Sequence, residues 1–113
     1  MQLRFAQQMK KGALDMLVLK LLQHEEKYGY QLISELRDRT EGALALKEGT
    51  LYPLLYRLED GGLVTSRLSA HTAKEPARKY YAITDEGCSA LREMHELWSE
   101  FDGYVRSIME EER

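Results

Sequence analysis

Apolar residues along this chain fall into four stretches with helical spacing, the third and fourth separated by two runs of strand length. From about Met9 to Gln23, the residues Ala13, Leu14, Met16, Leu17, Val18, Leu21 and Leu22 make a helix apolar on more than one side, as expected of a central core helix. A polar break follows at His24-Glu25-Glu26-Lys27. Tyr28-Gly29-Tyr30 opens a second helix whose expected inward stripe is Tyr30, Ile33 and Leu36, ending near Thr40-Glu41-Gly42. Ala43 to Leu46 reads as a short extended link.

The third helix begins around Glu48. Leu51, Leu54, Leu55 and Leu58 recur at i, i+3, i+4 and i+7, so one face goes to a core. At about 100° per residue, Gly49, Tyr52, Pro53, Tyr56 and Arg57 fall on the opposite face. Two phenols and a guanidinium stand there where a solvated helix usually carries Lys and Glu, so the face is suited to contact. Pro53 is expected in or near the first turn, where it is tolerated. Gly61-Gly62 ends the helix. Leu63 to Ser69 and Ala77 to Ile83 then read as two strands around a polar tip at 70–76, where Arg67, Lys74, Arg78 and Lys79 outnumber Glu75. Three helices followed by a basic hairpin make a winged helix-turn-helix arrangement, mainly α with a β-hairpin wing.

Thr84 is the expected N-cap of a long final helix, with Asp85 and Glu86 at the positive end of its dipole. Leu91, Met94, Trp98, Phe101, Val105 and Ile108 step by three and four, the spacing of a coiled-coil seam, with Ala90, Leu97 and Tyr104 as a flanking stripe. A helix on the order of 40 Å long exceeds what so small a body covers, so the seam implies a second copy of the chain. Gly103 is expected to mark a bend or a close approach in it. The chain divides accordingly into a winged helix-turn-helix domain, 1–83, and a C-terminal dimerisation helix, 84–113.

The formal charge of −3 speaks against a nucleic-acid partner until its distribution is considered. Residues 1–83 hold 13 Lys/Arg against 10 Asp/Glu, and residues 84–113 hold 3 against 9. The acidity lies in the tail, and local field is what steers a phosphate backbone. With 113 residues and 43% hydrophobic content, the composition is that of a soluble single-domain protein, and neither a signal peptide nor a membrane-spanning run is read, which predicts the cytoplasm. One cysteine, Cys88, cannot form an internal disulfide. His24, His71 and His95 lack ligand spacing, so no metal or cofactor is expected. No phosphate loop, nucleophile elbow or Cys/His constellation supports catalysis.

Tyr28-Gly29-Tyr30, the run from Glu48 to Leu55 with Arg57-Leu58-Glu59, Gly62-Leu63-Val64 and the run from Arg78 to Gly87 together resemble the PadR family of bacterial transcriptional regulators. The likeness covers nearly the whole chain, and it rests on the order and spacing of motifs that are each weak alone. It implies a dimer formed through the last helix and repression of nearby genes relieved by a small molecule. The short tail is similar to the smaller subfamily, with one C-terminal helix per subunit. There a tryptophan of that helix stacks flat aromatic drugs at the dimer centre. Trp98 and its neighbour Asp102 match that site, and Asp15 and Met16 of the first helix align with positions lining it, which implies a planar aromatic, cationic effector.

The expected DNA contacts are Lys47, Gly49, Thr50, Tyr52, Pro53, Tyr56 and Arg57 on the third helix, with His71, Lys74, Arg78 and Lys79 on the wing. The expected partners are a double-stranded operator and a second copy of the chain, with no membrane. Alternatives stay open. Tyr52 and Tyr56 also suit half-buried packing, Trp98 and the bulky Met94 and Phe101 also suit a filled dimer core, and the fold also serves protein-interaction modules or primary small-molecule sensors. Operator, target genes, effector and the sign of regulation are not legible in the sequence.

Overall fold

A computed structural model describes residues 3–70 and 73–111. In chain order it holds α1 (Leu3–His24), β1 (Lys27–Tyr28), α2 (Gly29–Arg39), α3 (Glu48–Asp60), β2 (Val64–Ser69), β3 (Arg78–Ile83) and α4 (Asp85–Met109). The helical body and hairpin are those expected. α1 starts six residues before Met9, because Leu3 to Gln8 contains no Pro or Gly to stop a helix.

The core gathers one side of each element. Val18 and Leu19 of α1, Leu32 of α2, Leu51 and Leu55 of α3 and Tyr81 of β3 have no exposed surface. The four leucines of α3 are all buried, as their spacing predicts. The inward side of α2 differs from expectation: Gly29, Leu32 and Leu36 are buried, Ile33 is partly so, and Tyr30 is 57% exposed. Tyr30 sits about 200° round the helix from Leu32, which puts a phenol that needs a partner for its hydroxyl in solvent.

The polar break between the first two helices hides a strand. Lys27 and Tyr28 pair antiparallel with Tyr81 and Tyr80, making a three-stranded sheet in the order β1-β3-β2. Lys27 is buried between Glu25 and Glu35, each 3.4 Å from its Nζ. A lysine can be buried only with such partners, and the aliphatic stem covers apolar surface. Gln31 Oε1 accepts from the Tyr28 backbone N–H at 3.0 Å and ties the start of α2 to this strand. After α2 the chain turns rather than extends. Glu41 and Gly42 take φ of 53° and 86°, and Thr40 Oγ1 donates to Leu36 O at 2.6 Å while accepting from Leu44 N. Leu44 and Leu46 are thereby packed against the core.

Gly62, at φ 77°, turns α3 into β2, and a three-bond clamp holds the end of the hairpin to α4. Thr84 N donates to Leu63 O at 3.0 Å, Thr84 Oγ1 donates to Gly62 O at 2.7 Å, and Gly87 N donates to Thr84 Oγ1 at 2.9 Å. α4 then runs past the body. The radius of gyration, 16.4 Å, exceeds the about 13 Å of a compact chain this long, and the longest extent is 67 Å. Of the expected seam, Leu91 is buried in the chain's own core and Met94 packs partly against it, because the first turns of α4 lie on α1. The part of the seam that this chain leaves uncovered therefore begins beyond them, at Trp98, with Leu97 of the flanking stripe beside it. Gly103 has nothing within 4 Å of an added Cβ within one chain.

The clamp makes Gly87 a sharp test of the fold. A Cβ there would overlap the Leu63 carbonyl oxygen and the Ile83 side chain. Gly87→Ala should lower stability by about 1–3 kcal/mol, and Thr84→Ala by about 1 kcal/mol through the lost cap. Urea unfolding monitored by circular dichroism checks both, and a Gly87→Ala midpoint equal to wild type would show that α4 is not clamped as described.

Candidate nucleic-acid interface

Burial of the four α3 leucines leaves most of the opposite side of that helix open to solvent. Lys47, Gly49, Thr50, Pro53, Tyr56 and Arg57 are all exposed there. Lys47 is the N-cap, and its carbonyl accepts from Thr50 N and Leu51 N at 3.0 and 3.1 Å. Pro53 lies in the second turn, beyond the first-turn position expected for it. It therefore withholds the bond that the Gly49 carbonyl would receive, on the solvent side where the loss is cheapest.

Tyr52 departs from the outward face assigned to it. It is partly buried and packs against the core, with its phenol over Gly29, where an added Cβ would overlap its hydroxyl. The cause is the glycine: without a Cβ, α2 leaves a slot that the ring fills. Burial pushes the Tyr52 phenol above its ordinary pKa, with Glu48 and Tyr56 adding to the shift. Tyr56 remains 49% exposed with its ring 6.3 Å from that of Tyr52.

The wing divides its cations between two faces. Strand alternation sends Lys79 towards α3, where its Nζ lies 5.3 Å from the Tyr56 ring, 5.6 Å from the Tyr81 ring and 3.9 Å from Glu59 Oε1. Beneath it, burial pushes the Tyr81 phenol up to about 12, so it stays neutral. Arg78 points the other way, its guanidinium 4.7 Å from the Tyr28 ring centre. On the same outer face Arg67 lies over Tyr80 and binds Glu26 with Nε and Nη2, holding that carboxyl below its usual pKa. Lys74 is exposed in the turn of the hairpin, and His71 lies outside the described residues. Arg78 and Lys79 are thus not brought together, and only Lys79 joins the α3 face.

Two carboxylates pair with cations of this region in a way the sequence does not show: Asp15 is expected at the effector site and Glu59 at no site. Asp15 Oδ1 accepts from Arg57 Nη2 at 3.0 Å, and Glu59 accepts from Ser66 Oγ at 2.5 Å while facing Lys79. Glu59 reads in sequence only as a helix-closing acid. Neither pairing has a local spacing to announce it, since the partners lie on different elements.

A second surface lies between α1 and α4. A groove of about 670 Å³ is walled by Met9, Gly12, Met16, Met94, Trp98 and Phe101, and a smaller one of about 360 Å³ lies on the other side of Trp98. Trp98 and Met16 line both. The two carboxylates expected beside them are held elsewhere: Asp15 by Arg57, and Asp102 by Arg106 Nε at 3.0 Å. Glu100 is the acidic residue on the larger groove. Among the described residues, no cluster of His, Cys, Asp or Glu is placed to hold a metal ion, and no helix is long and apolar enough to cross a membrane.

Residues 18–93 match the family model described as the transcriptional regulator PadR-like family. An uncharacterized protein of Lysinibacillus sphaericus is 32% identical over 100 residues, covering 88% of this chain and 91% of that protein. Among solved structures, a PadR family transcriptional regulator from Eggerthella lenta superposes with a TM-score of 0.85 at 37% identity, covering 96% of this chain and 92% of that one. A PadR-like transcriptional regulator from Bacillus cereus does so with a TM-score of 0.78 at 36% identity, over 93% and 99% of the two chains. An exposed helix face beside a basic hairpin, on a body of this fold, has the form that DNA-binding regulators use. The chain belongs to the PadR-like family of transcriptional regulators, which bind DNA and are not enzymes.

Proposed function

We propose that the protein is a homodimeric repressor whose two α3 helices enter successive major grooves of a pseudo-palindromic operator, and which a planar aromatic small molecule releases. Residues 1–83 read the DNA and 84–113 set the distance between the two readers. One observation carries this reading. Along α4 beyond the body, Leu97, Phe101, Tyr104 and Ile108 are 59–70% exposed, with Trp98 and Val105 above 40%, a contiguous apolar stripe that water disfavours and a second copy would cover. Pairing two chains through α4 gives two α3 faces in a fixed relation, which is what two half-sites require.

On each α3, Thr50, Tyr56 and Arg57 face the groove, Lys47 and Lys79 face phosphates, and Lys74 with Arg78 lie towards the flanking duplex. Tyr52 supports the surface from behind rather than touching DNA. At the dimer centre Trp98 and Met16 form the walls that stack an aromatic effector, with Glu100 as the nearer negative charge. Asp102 and Asp15 join such a site only when Arg106 and Arg57 release them.

The reading is tested on the DNA upstream of the protein's own gene. Tyr56→Ala and Arg57→Ala should each weaken binding in a mobility-shift assay by about 1–3 kcal/mol while light scattering still gives a dimer. If both variants shift the DNA as wild type does, the α3 face is wrongly assigned. Phe101→Glu should yield monomers that no longer bind, because a charge enters the apolar stripe; a dimeric Phe101→Glu variant would refute dimerisation through α4. Trp98 is the one tryptophan, so its fluorescence should be quenched by planar cationic aromatics, and an unresponsive signal across a panel of them removes the effector from the scheme.

A further inference from the structure

Arg57 stands in the turn of α3 that also carries Tyr56, and its Nη2 donates to Asp15 Oδ1 at 3.0 Å. The partners are 42 positions apart, so the pair is a bridge from α1 to α3 and not a contact within one helix. Its two ends differ in exposure. The arginine side chain is 63% exposed and the aspartate 28%. Asp15 is fixed from behind, since its neighbours Leu14, Val18 and Leu19 are buried in the core. The carboxylate is the anchored end, and the guanidinium is the end within reach of a ligand.

A guanidinium carries five N–H donors in a planar fork. Anchoring one nitrogen to a fixed carboxylate sets the plane and direction of the rest, and it reduces the side-chain freedom lost on binding. The same carboxylate puts a negative charge 3.0 Å from the fork. That charge repels an approaching phosphate, while a neutral base edge with paired acceptors, such as O6 and N7 of guanine, meets little of this opposition.

We propose that Asp15 is a positioning residue that sets DNA specificity: by holding Arg57 it aims the guanidinium at a base edge in the major groove and keeps it from phosphates. The inference rests on the reading of α3 as the helix that enters DNA. It gives Asp15 a role in the reading head, distinct from the effector-site role that the family resemblance implies. Binding to arbitrary duplex is driven almost wholly by neutralised phosphates, so withholding Arg57 from them weakens it. Operator binding instead gains a base contact whose geometry exists before the encounter.

The full-length dimer and its Asp15→Ala, Asp15→Asn, Arg57→Ala and double Asp15→Ala/Arg57→Ala variants are each used to select duplexes from a random pool. Affinities for the wild-type consensus and for a random-sequence duplex are then measured by fluorescence anisotropy across a salt series, with thermal melting to check folding. Asp15→Ala should bind the random duplex more tightly, with a salt dependence steeper by about one phosphate. It should bind the consensus more weakly, so that the specificity ratio falls about tenfold. The base positions it relaxes should be those that Arg57→Ala relaxes, which a general loosening of the fold would not produce. Asp15→Asn, which keeps an acceptor oxygen without the charge, should raise random binding and leave consensus binding near wild type. In the Arg57→Ala background, Asp15→Ala should leave the ratio unchanged. Glu26→Gln removes one negative charge on the outer sheet face and should not alter the ratio. Equal gains for both duplexes, relaxed positions unrelated to Arg57, or a matching effect of Glu26→Gln would overturn the proposal. A pool with no preferred duplex would overturn the parent reading, whereas a clear consensus with an unchanged Asp15→Ala ratio overturns this inference alone.

Discussion

The structure depends on the burial of one side of α3. Leu51 and Leu55 have no exposed surface, and Leu54 and Leu58 have almost none. Burying a leucine contributes about 1.5–3 kcal/mol relative to leaving it exposed, so these four contribute on the order of the whole net stability of a small domain. This fixes the rotation of α3 about its axis, and the rotation decides which residues remain outside. Gly49, Pro53, Tyr56 and Arg57 are presented because the leucines cannot be. The glycine of α2 refines the result: Gly29 admits the Tyr52 ring, which takes one of the two phenols off the surface and packs α3 against α2.

α4 obeys the same rule and fails to satisfy it alone. Leu91 is buried and Met94 partly so, because α1 lies beneath them, while the residues a turn or two later have no such neighbour. The clamp at Thr84 and Gly87 ties the start of the helix to the end of the hairpin. Whatever covers the far half of α4 therefore acts on a rod fixed to the wing, and also on α1 through the groove at Met16 and Trp98. In the proposed dimer, this connection is the route by which a change at the far end reaches the separation of the two α3 faces.

The sequence carried the helices, the hairpin and the α3 stripe because each is written in local periodicity. It misplaced features that depend on a distant partner. β1 is two residues long and looks polar, since Lys27 is buried by an ion pair with Glu35 that no local pattern encodes. Tyr30 appears as an inward aromatic because its spacing to Ile33 is helical, yet Leu32 and Leu36 define the buried side. Tyr52 lies among outward residues by angle and is drawn inward by the absence of a side chain at Gly29. Leu91 belongs to a heptad seam by spacing and to the monomer core by contact. On the wing, alternation separates Arg78 from Lys79, which is readable once a strand is assumed but was hidden by their shared charge.

The remaining feature invisible in sequence is how the cations are held. Arg57 has Asp15, Lys79 has Glu59, and Arg67 has Glu26, three carboxylates drawn from α1, the end of α3 and the turn before β1. Exposed pairs of this kind contribute little to stability, typically about 0–1 kcal/mol. For the two pairs on the α3 face, Asp15–Arg57 and Glu59–Lys79, the consequence in the proposed reading is for binding, because a cation already facing a carboxylate releases fewer counterions when it meets a phosphate. The excess of base over acid in residues 1–83 thus overstates the attraction for an arbitrary duplex. In the proposed reading, a regulator that must find one site among many gains from that restraint, since weak non-specific binding leaves shape and base contacts at the α3 face to decide where it stays.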